Sequence, residues 1–512
     1  MINDQEKFLE EFGSLLNHNV DPDFIDEKKY IGPSLRKALI DVGAFCIKIP
    51  NEYGGKGLSS LQFSRALMMC GAKCGSISAV LLASQSIGLP AFLLKYGNQD
   101  QKQKYLPRFS YGSSSALALT EWHAGSNPKN ISCSISEDSA GNLVLNGQKI
   151  WSTNSLRADL IVVIAKCPED KFKAIIVRSD YSGVSKRSKC EFSGLRGSES
   201  AVLKFDNVKI PKENIISPET CGIKMALEVL SESRIFLSAI CVGAAKQLLK
   251  ESREWGSRRC QWSKYIGGHE LISDKITDMA RKTFAMESMV LYSSLIMDRK
   301  DAEIKEESTM TKIYCTESCW EIVNQAVQIR GGRGYEKSKS LKLRGEKASS
   351  AERLFRDLRI NLILEGSNEV LNMLLAKEGF GKKFGFKKFD KINTSDKNLK
   401  SKIKFINKIN RKLSRCILFS KIRYRESVKD KQLLLYRISQ IRIQLFVLYT
   451  CVYRCSKDGD DQSNKILESI FYDSKKKIKS HFDSIKNNRD CKDFDLGQEI
   501  FREKHRHLEE LK

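Results

Sequence analysis

Ile131-Ser-Cys-Ser-Ile-Ser-Glu-Asp-Ser-Ala-Gly-Asn-Leu-Val-Leu-Asn-Gly147 decides the fold class. Ile131, Cys133 and Ile135 alternate with serines, residues 138–141 have turn composition, and Leu143 and Leu145 resume the alternation up to Asn146-Gly147. A period of two is that of a strand with one buried face, and the turn residues between the runs make a hairpin. Short apolar runs at 160–165, 174–177 and 201–205 continue the pattern. The reading is a compact antiparallel β domain over 116–220. On either side the period lengthens. Leu61, Leu67 and Met68, then Val80, Leu81 and Leu82, follow helical spacing, punctuated by Pro50-Asn-Glu-Tyr-Gly-Gly55 and by 88–90, so 1–115 is expected to be helical. Helical spacing returns past Gly222 and defines 221–380, with Arg-rich loops at 257–265 and 330–350. The chain is therefore α+β, with its strands between two helical domains.

Residues 381–399, rich in Gly and Lys, read as a linker. Beyond it, 400–512 is expected to form a basic helical domain of three stretches, 400–424, 430–455 and 463–486. Ile403, Ile406, Ile409, Leu413 and Ile417 make one stripe on the first. Net charge is +25, of which about +17 lies in 381–512, where about 34 Lys and Arg meet about 17 Asp and Glu. Such a tail suits an anionic membrane surface, an acidic partner or a merely solvated helix face, and an apolar stripe with a basic flank at 400–424 suggests peripheral membrane contact. The same stripe could instead pack on a helical core. No nucleic-acid motif is present, so no nucleic-acid partner is expected.

At 512 residues and 41% hydrophobic, the chain can bury several cores. Its 15 cysteines are scattered, three pairs (70/74, 315/319, 451/455) falling on single helix faces, and free thiols are expected. Six dispersed histidines give no zinc signature, so no metal is expected. No stretch approaches about 20 uninterrupted apolar residues, and Met-Ile-Asn-Asp lacks the basic and apolar regions of a signal peptide. The expected location is cytoplasmic, with contact at the inner face of a membrane through the tail.

The chemistry is carried by Ile363-Leu-Glu-Gly-Ser-Asn-Glu-Val370. Glu365 pressed against an apolar run is desolvated, which raises its pKa toward neutrality and makes it a proton acceptor, and Gly366 lets a ligand approach the backbone. Alternatively the segment is a helix end with Gly at C′. Four more segments accompany it: Pro50-Asn-Glu-Tyr-Gly-Gly-Lys-Gly57, Leu117-Ala-Leu-Thr-Glu-Trp-His-Ala-Gly-Ser126, Leu145-Asn-Gly-Gln-Lys-Ile-Trp-Ser-Thr-Asn154 and Gln328-Ile-Arg-Gly-Gly-Arg-Gly-Tyr335. Together, in register across about 30–380, they resemble the acyl-CoA dehydrogenases, and the basic tail resembles the extra C-terminal domain of the very-long-chain branch.

That resemblance implies FAD-dependent oxidation of a medium-to-long-chain acyl-CoA to trans-2-enoyl-CoA. Glu365 would remove the α-proton while its backbone N–H polarises the thioester oxygen. Electrons would pass to an electron-transferring flavoprotein, in fatty acid β-oxidation. It assigns flavin contacts to Leu117, Ala118, Leu119, Thr120 and Ser126, with Trp151, Ser152 and Thr153 as a second wall; a buried Trp would otherwise be core. Arg259 and Trp262 would meet the FAD pyrophosphate across a subunit boundary, and Gln328, Gly331 and Gly332 the adenine half of the partner's flavin, which implies a homodimer. A plain helix connection is the alternative for that glycine turn. Ser367, Asn368 and Glu369 would face the cofactor again. Ser126, Gly366 and Arg234 would touch acyl-CoA, although an interior Arg is commonly a buried ion pair. Ser233, where some family members carry the base, cannot serve as one. Trp122 and Asn127 stand where the family has Pro and Asp, and 336–352 is a basic insertion. Two alternatives remain, an oxidase or flavin monooxygenase on the same fold and a catalytically silent assembly protein.

Overall fold

A computed structural model describes residues 4–168, 171–299, 302–381, 385–386 and 388–509. The N-terminal Met-Ile-Asn, linker residues 382–384 and 387, and the last three residues of the tail lie outside the described residues.

The central sheet has eight strands: β1 (Ser115–Ala118), β2 (Ser134–Glu137), β3 (Leu143–Ser152), β4 (Leu160–Lys166), β5 (Phe172–Arg178), β6 (Val184–Lys189), β7 (Ala201–Ile210) and β8 (Ile215–Ile216). Their order is β6-β7-β3-β2-β4-β5-β8, with β1 also on β4. The β2–β3 hairpin forms as the alternation requires: Ile135 faces Leu145, and Asp138 Oδ1 accepts the backbone N–H groups of Ala140 and Asn142 at 2.9 and 2.8 Å. The expectation of a purely antiparallel sheet is corrected, because β1 runs parallel to β4, pairing Ser115 with Leu160 through Ala118 with Val163. Parallel strands covered on both faces carry unbroken apolar runs. Accordingly β4 sends Leu160, Val162 and Ile164 into a core shared with Phe92 and Phe109, and Ile161, Val163 and Ala165 into a second core with Leu145 and Phe205.

Around the sheet, helices Ser60–Lys73, Gly222–Gly256, Glu270–Met297 and Lys305–Arg330 form a bundle. Gly243 lets the first two cross in backbone contact, since a Cβ there would collide with the Met68 carbonyl. The span Gly75–Tyr96, although interrupted by serines, Gln85 and Lys95, is long and apolar enough to cross a membrane by composition. It is 78% buried and divides into helices Gly75–Gln85 and Leu89–Tyr96, so it serves as core. All 15 cysteines are free thiols.

The chain divides into two compact units, Met1–Asn368 and Glu369–Lys512. Helix Asn368–Gly379 groups with the second unit. That unit contains helices Lys397–Tyr424, Gln432–Asp458 and Asp461–Lys486, and a fourth, Asp490–Phe501, that the apolar spacing did not reveal. Two expectations change here. The described part of the linker is packed: Phe386 is buried, Arg442 lies 5.0 and 4.1 Å from the rings of Phe386 and Phe389, and Phe389 stacks on Tyr449. Cation–π contact to a buried guanidinium gives this Gly/Lys-rich segment a fixed path. Secondly, Ile406, Leu413 and Ile417 of the proposed membrane stripe are buried inside the unit, leaving Leu418, Phe419 and Ile422 exposed. The stripe is core.

Candidate active site

A short 3₁₀ turn, Arg359–Leu362, leads into Glu365 at φ 58° and Gly366 at φ 100°. A non-glycine residue in this left-handed region is held by its surroundings. Here two buried cations hold it. Arg234 Nε donates to the Glu365 carbonyl at 3.1 Å, and Lys312 Nζ donates to the carbonyls of Gly366 and Leu362 at 2.8 and 3.4 Å and to Asn368 Oδ1 at 2.8 Å. Three carbonyls of the turn thus end on fixed positive charge, which suits groups without a helix to complete their bonding.

The side chain of Glu365 is bonded on one side only. Ser233 Oγ donates to Oε1 at 2.7 Å, while Oε2 is buried and accepts no hydrogen bond among the described residues. Burial pushes the carboxyl up to about 7, and the Ser233 hydrogen bond, then Arg234 and Lys312, oppose the rise. Burial also brings Lys312 down to about 8 and Arg234 to about 10, with the Glu365 charge opposing both shifts. A carboxyl raised toward neutrality, with one open oxygen, has the properties a general base for a carbon-bound proton needs.

A second group forms where β1 meets β3. The carbonyls of Leu117, Leu119 and Thr120 accept from Ser152 Oγ (2.8 Å), Lys149 Nζ (2.9 Å) and the Ile150 N–H (2.9 Å). Beneath them Lys149 and Glu121, both buried, pair at 2.8 Å, and Glu121 also receives the N–H groups of Ser132 and Cys133. Trp151 follows at φ 56°, on the irregular end of β3, and is 58% exposed. It is not core, and its indole is exposed on the strand whose neighbouring residues bond the 117–120 carbonyls. Trp122 points outward, the turn closing through paired Glu121–Ala124 backbone bonds without the expected proline. Asn127 caps the turn Pro128–Asn130, and Ser126 is exposed.

A third group surrounds Trp255. The guanidinium carbons of Arg330, Arg333 and Arg259 lie 4.9, 5.9 and 6.0 Å from its ring, and Arg330 Nε is buried without an acceptor. Trp262 and Ser263 form the exposed tip of a small hairpin following Arg259. Gly331 adopts φ 62°, ψ −141°, open only to glycine, and faces empty space as Gly332 does; Gln328 is exposed. The insertion at 336–352 carries helix Ser338–Leu343 and an Arg344 fork between Glu336 and Glu346.

The structure thus brings Leu117, Ala118, Leu119, Thr120, Trp151 and Ser152 together, and separately Arg259, Trp262, Gln328, Gly331 and Gly332. Three of the residues carry inward-facing bonds. Arg234 is buried with its donors on Glu365, Ser231 and Thr309, and holds the turn. Asn368 turns its amide inward to Lys312, Thr316 and Glu317. The Ser152 hydroxyl is spent on Leu117. Thr153 and Ser367 are half-buried; Glu369 is exposed and opens the second unit. Sequence reasoning missed Ser233 as a partner of Glu365, and Lys312, Lys149, Glu121, Arg330 and Trp255 altogether. Only the adjacency of Arg330 and Arg333 to the glycine turn gave a sequence signal. FAD fits these residues: an exposed indole beside a strand edge suits a flat ring, an orphaned guanidinium suits a diphosphate, and the orphaned Oε2 suits a substrate proton. Among the described residues no cluster of His, Cys, Asp or Glu could hold a metal.

Family models for the acyl-CoA dehydrogenase N-terminal, middle and C-terminal domains match residues 3–113, 116–208 and 220–380. A probable acyl-CoA dehydrogenase, FadE10 of Mycobacterium bovis, is 32% identical over 99% of this chain and 85% of its own length. The mouse mitochondrial very long-chain specific acyl-CoA dehydrogenase is 32% identical over 70% of this chain and 55% of its own. The fold is shared with an FAD-complexed acyl-CoA dehydrogenase of Bacillus anthracis, at TM-score 0.83 and 24% identity, covering 97% and 91% of the two chains. With three domain models in order and a full-length relative, the chain belongs to the acyl-CoA dehydrogenase family of FAD-dependent oxidoreductases.

Proposed function

We propose that this protein oxidises medium-to-long-chain acyl-CoA thioesters to trans-2-enoyl-CoA, with Glu365 as the base, and delivers the electrons to an electron-transferring flavoprotein. The observation that carries the reading is the buried, unbonded Oε2 of Glu365 on a turn clamped by Arg234 and Lys312. The Glu365 N–H would polarise the thioester oxygen, acidifying the α-carbon, and the α-proton would pass to Oε2. FAD, when bound, supplies the acceptor for the β-hydride. Residues 117–120 and Trp151 would hold and cover its ring, and Arg259 with the 328–332 turn of a second copy would hold its far end.

A long aliphatic tail is supported by the similarity to a very long-chain enzyme. The test is anaerobic titration of the FAD-loaded protein with saturated acyl-CoA thioesters of increasing length. Bleaching of the flavin, strongest for medium and long chains, is the expected result. An optimum at four carbons would contradict the chain-length assignment, and no bleaching with any thioester would overturn the activity.

A further inference from the structure

Glu365 has to be two things in one turnover, a carboxylate before proton transfer and a carboxylic acid after it. A buried carboxyl that changes state ordinarily leaves a donor or an acceptor unmatched, at the full desolvation cost of that group. The surroundings of Oε1 avoid this. Ser233 Oγ lies 2.7 Å from Oε1 and 3.2 Å from Ser86 Oγ, where either hydroxyl can donate, and Ser86 Oγ lies 2.7 Å from the Leu82 carbonyl. Ser86 and Ser233 are both buried, at 3% and 0% exposure.

Resting on the assignment of Glu365 as base, we propose that Ser233 and Ser86 are positioning residues forming a reversible hydrogen-bond chain that serves both protonation states of Glu365. With the carboxylate ionised, Ser86 donates to Ser233 and Ser233 donates to Oε1. The carboxylate then has one fixed oxygen, and the other, Oε2, is the atom left to take the proton. During proton transfer the α-C–H bond breaks, an O–H bond forms on Oε2 and the released electron pair becomes the α,β double bond, while the β-C–H pair would leave as hydride, for which bound FAD would be the acceptor. With the carboxyl protonated, rotation about the carboxyl bond presents O–H to Ser233, Ser233 turns to Ser86, and Ser86 turns to the Leu82 carbonyl. With the carboxylate ionised Ser233 both accepts and donates while Ser86 only donates, and with the carboxyl protonated both hydroxyls accept and donate, so the bond to Oε1 is kept in either state. Leu82 closes the chain, so the proton is accommodated and not exported by this route.

The charged groups facing Glu365 are Arg234, on the helix that carries Ser233, and Lys312, on helix Lys305–Arg330; Glu317 and Cys241 lie around Lys312. Ser86, at the end of helix Gly75–Gln85, is uncharged. Arg234 is tied to the Glu365 carbonyl and Lys312 to the carbonyls of Leu362 and Gly366, bonds that serine substitution leaves in place, so the serines can be tested against a constant electrostatic background.

The test is the pH dependence of flavin reduction in rapid mixing of FAD-loaded Ser233→Ala, Ser233→Thr and Ser86→Ala with acyl-CoA. Ser233→Ala should move the acid-side inflection upward by about one pH unit or more and lower the plateau rate, because the ionised carboxyl loses its donor. Ser233→Thr, which keeps the hydroxyl, should restore the wild-type profile. Ser86→Ala should shift the inflection in the same direction by less. Equal profiles for wild type and Ser233→Ala at full FAD content would overturn the proposal while leaving Glu365 as base. A Ser233→Ala profile that moves without recovery in Ser233→Thr would also overturn it, as a packing effect. Retained activity in Glu365→Gln would instead remove the underlying assignment.

Discussion

Glu365 is stable in its site only at a cost, and that cost is measurable apart from catalysis. Its carboxyl is raised to about 7 in the folded protein against an ordinary value of 4.5, so the folded state binds the extra proton between those values. Stability from this group is full below about pH 4.5 and is lost as pH rises through 7. Glu365→Gln should therefore stabilise the protein at pH 8 by about 1–3 kcal/mol, seen as a higher melting temperature, and the gain should shrink toward pH 5. Thermal melts at the two pH values check this; equal gains at both would contradict the desolvated carboxyl. Lys312→Met should act oppositely, leaving the Gly366 carbonyl without its donor and costing about 1–3 kcal/mol in denaturant titration. Glu365 could be read from sequence because an acid beside Gly and after Ile363-Leu364 is a local pattern. Ser233 and Lys312 could not, since they reach the turn from 132 and 54 residues away.

At the level of elements, the edge where β1 meets β3 rests on the buried ion pair of Lys149 and Glu121. Removing one partner of such a pair strands the other charge, which costs about 3–5 kcal/mol. Lys149→Met should accordingly destabilise the protein by that order and release FAD, as read by denaturant titration and by flavin absorbance after gel filtration. Full flavin content would contradict the role of Lys149 in shaping 117–120. The strands themselves were legible because 131–147 alternates and 160–165 is continuously apolar. The parallel pairing of β1 was not, because register between strands 45 residues apart leaves no local trace. Likewise helix Lys397–Tyr424 shows its stripe plainly, yet whether a stripe faces a membrane or other helices depends on partners; Ile406, Leu413 and Ile417 found theirs within the unit.

At the scale of the molecule, the three segments read as separate domains up to 380 make one unit ending at Asn368, because helices of both flanking segments pack with each other and with the sheet. Contact density of that kind is not a property of composition. If the cluster of Arg259, Arg330 and Arg333 on Trp255 holds the far end of a neighbour's FAD, dimer and cofactor should be inseparable. Sedimentation of the FAD-loaded protein should show a dimer or larger, and dilution to monomer should release the flavin; a monomer with its full flavin would contradict the shared site. The base assignment underlies all of this, and the most direct measurement is stopped-flow flavin reduction by a long-chain acyl-CoA in Glu365→Gln carrying one FAD per chain. Reduction slowed by about 100-fold or more is the result this account predicts, from the loss of a positioned base. Reduction at the wild-type rate would contradict it.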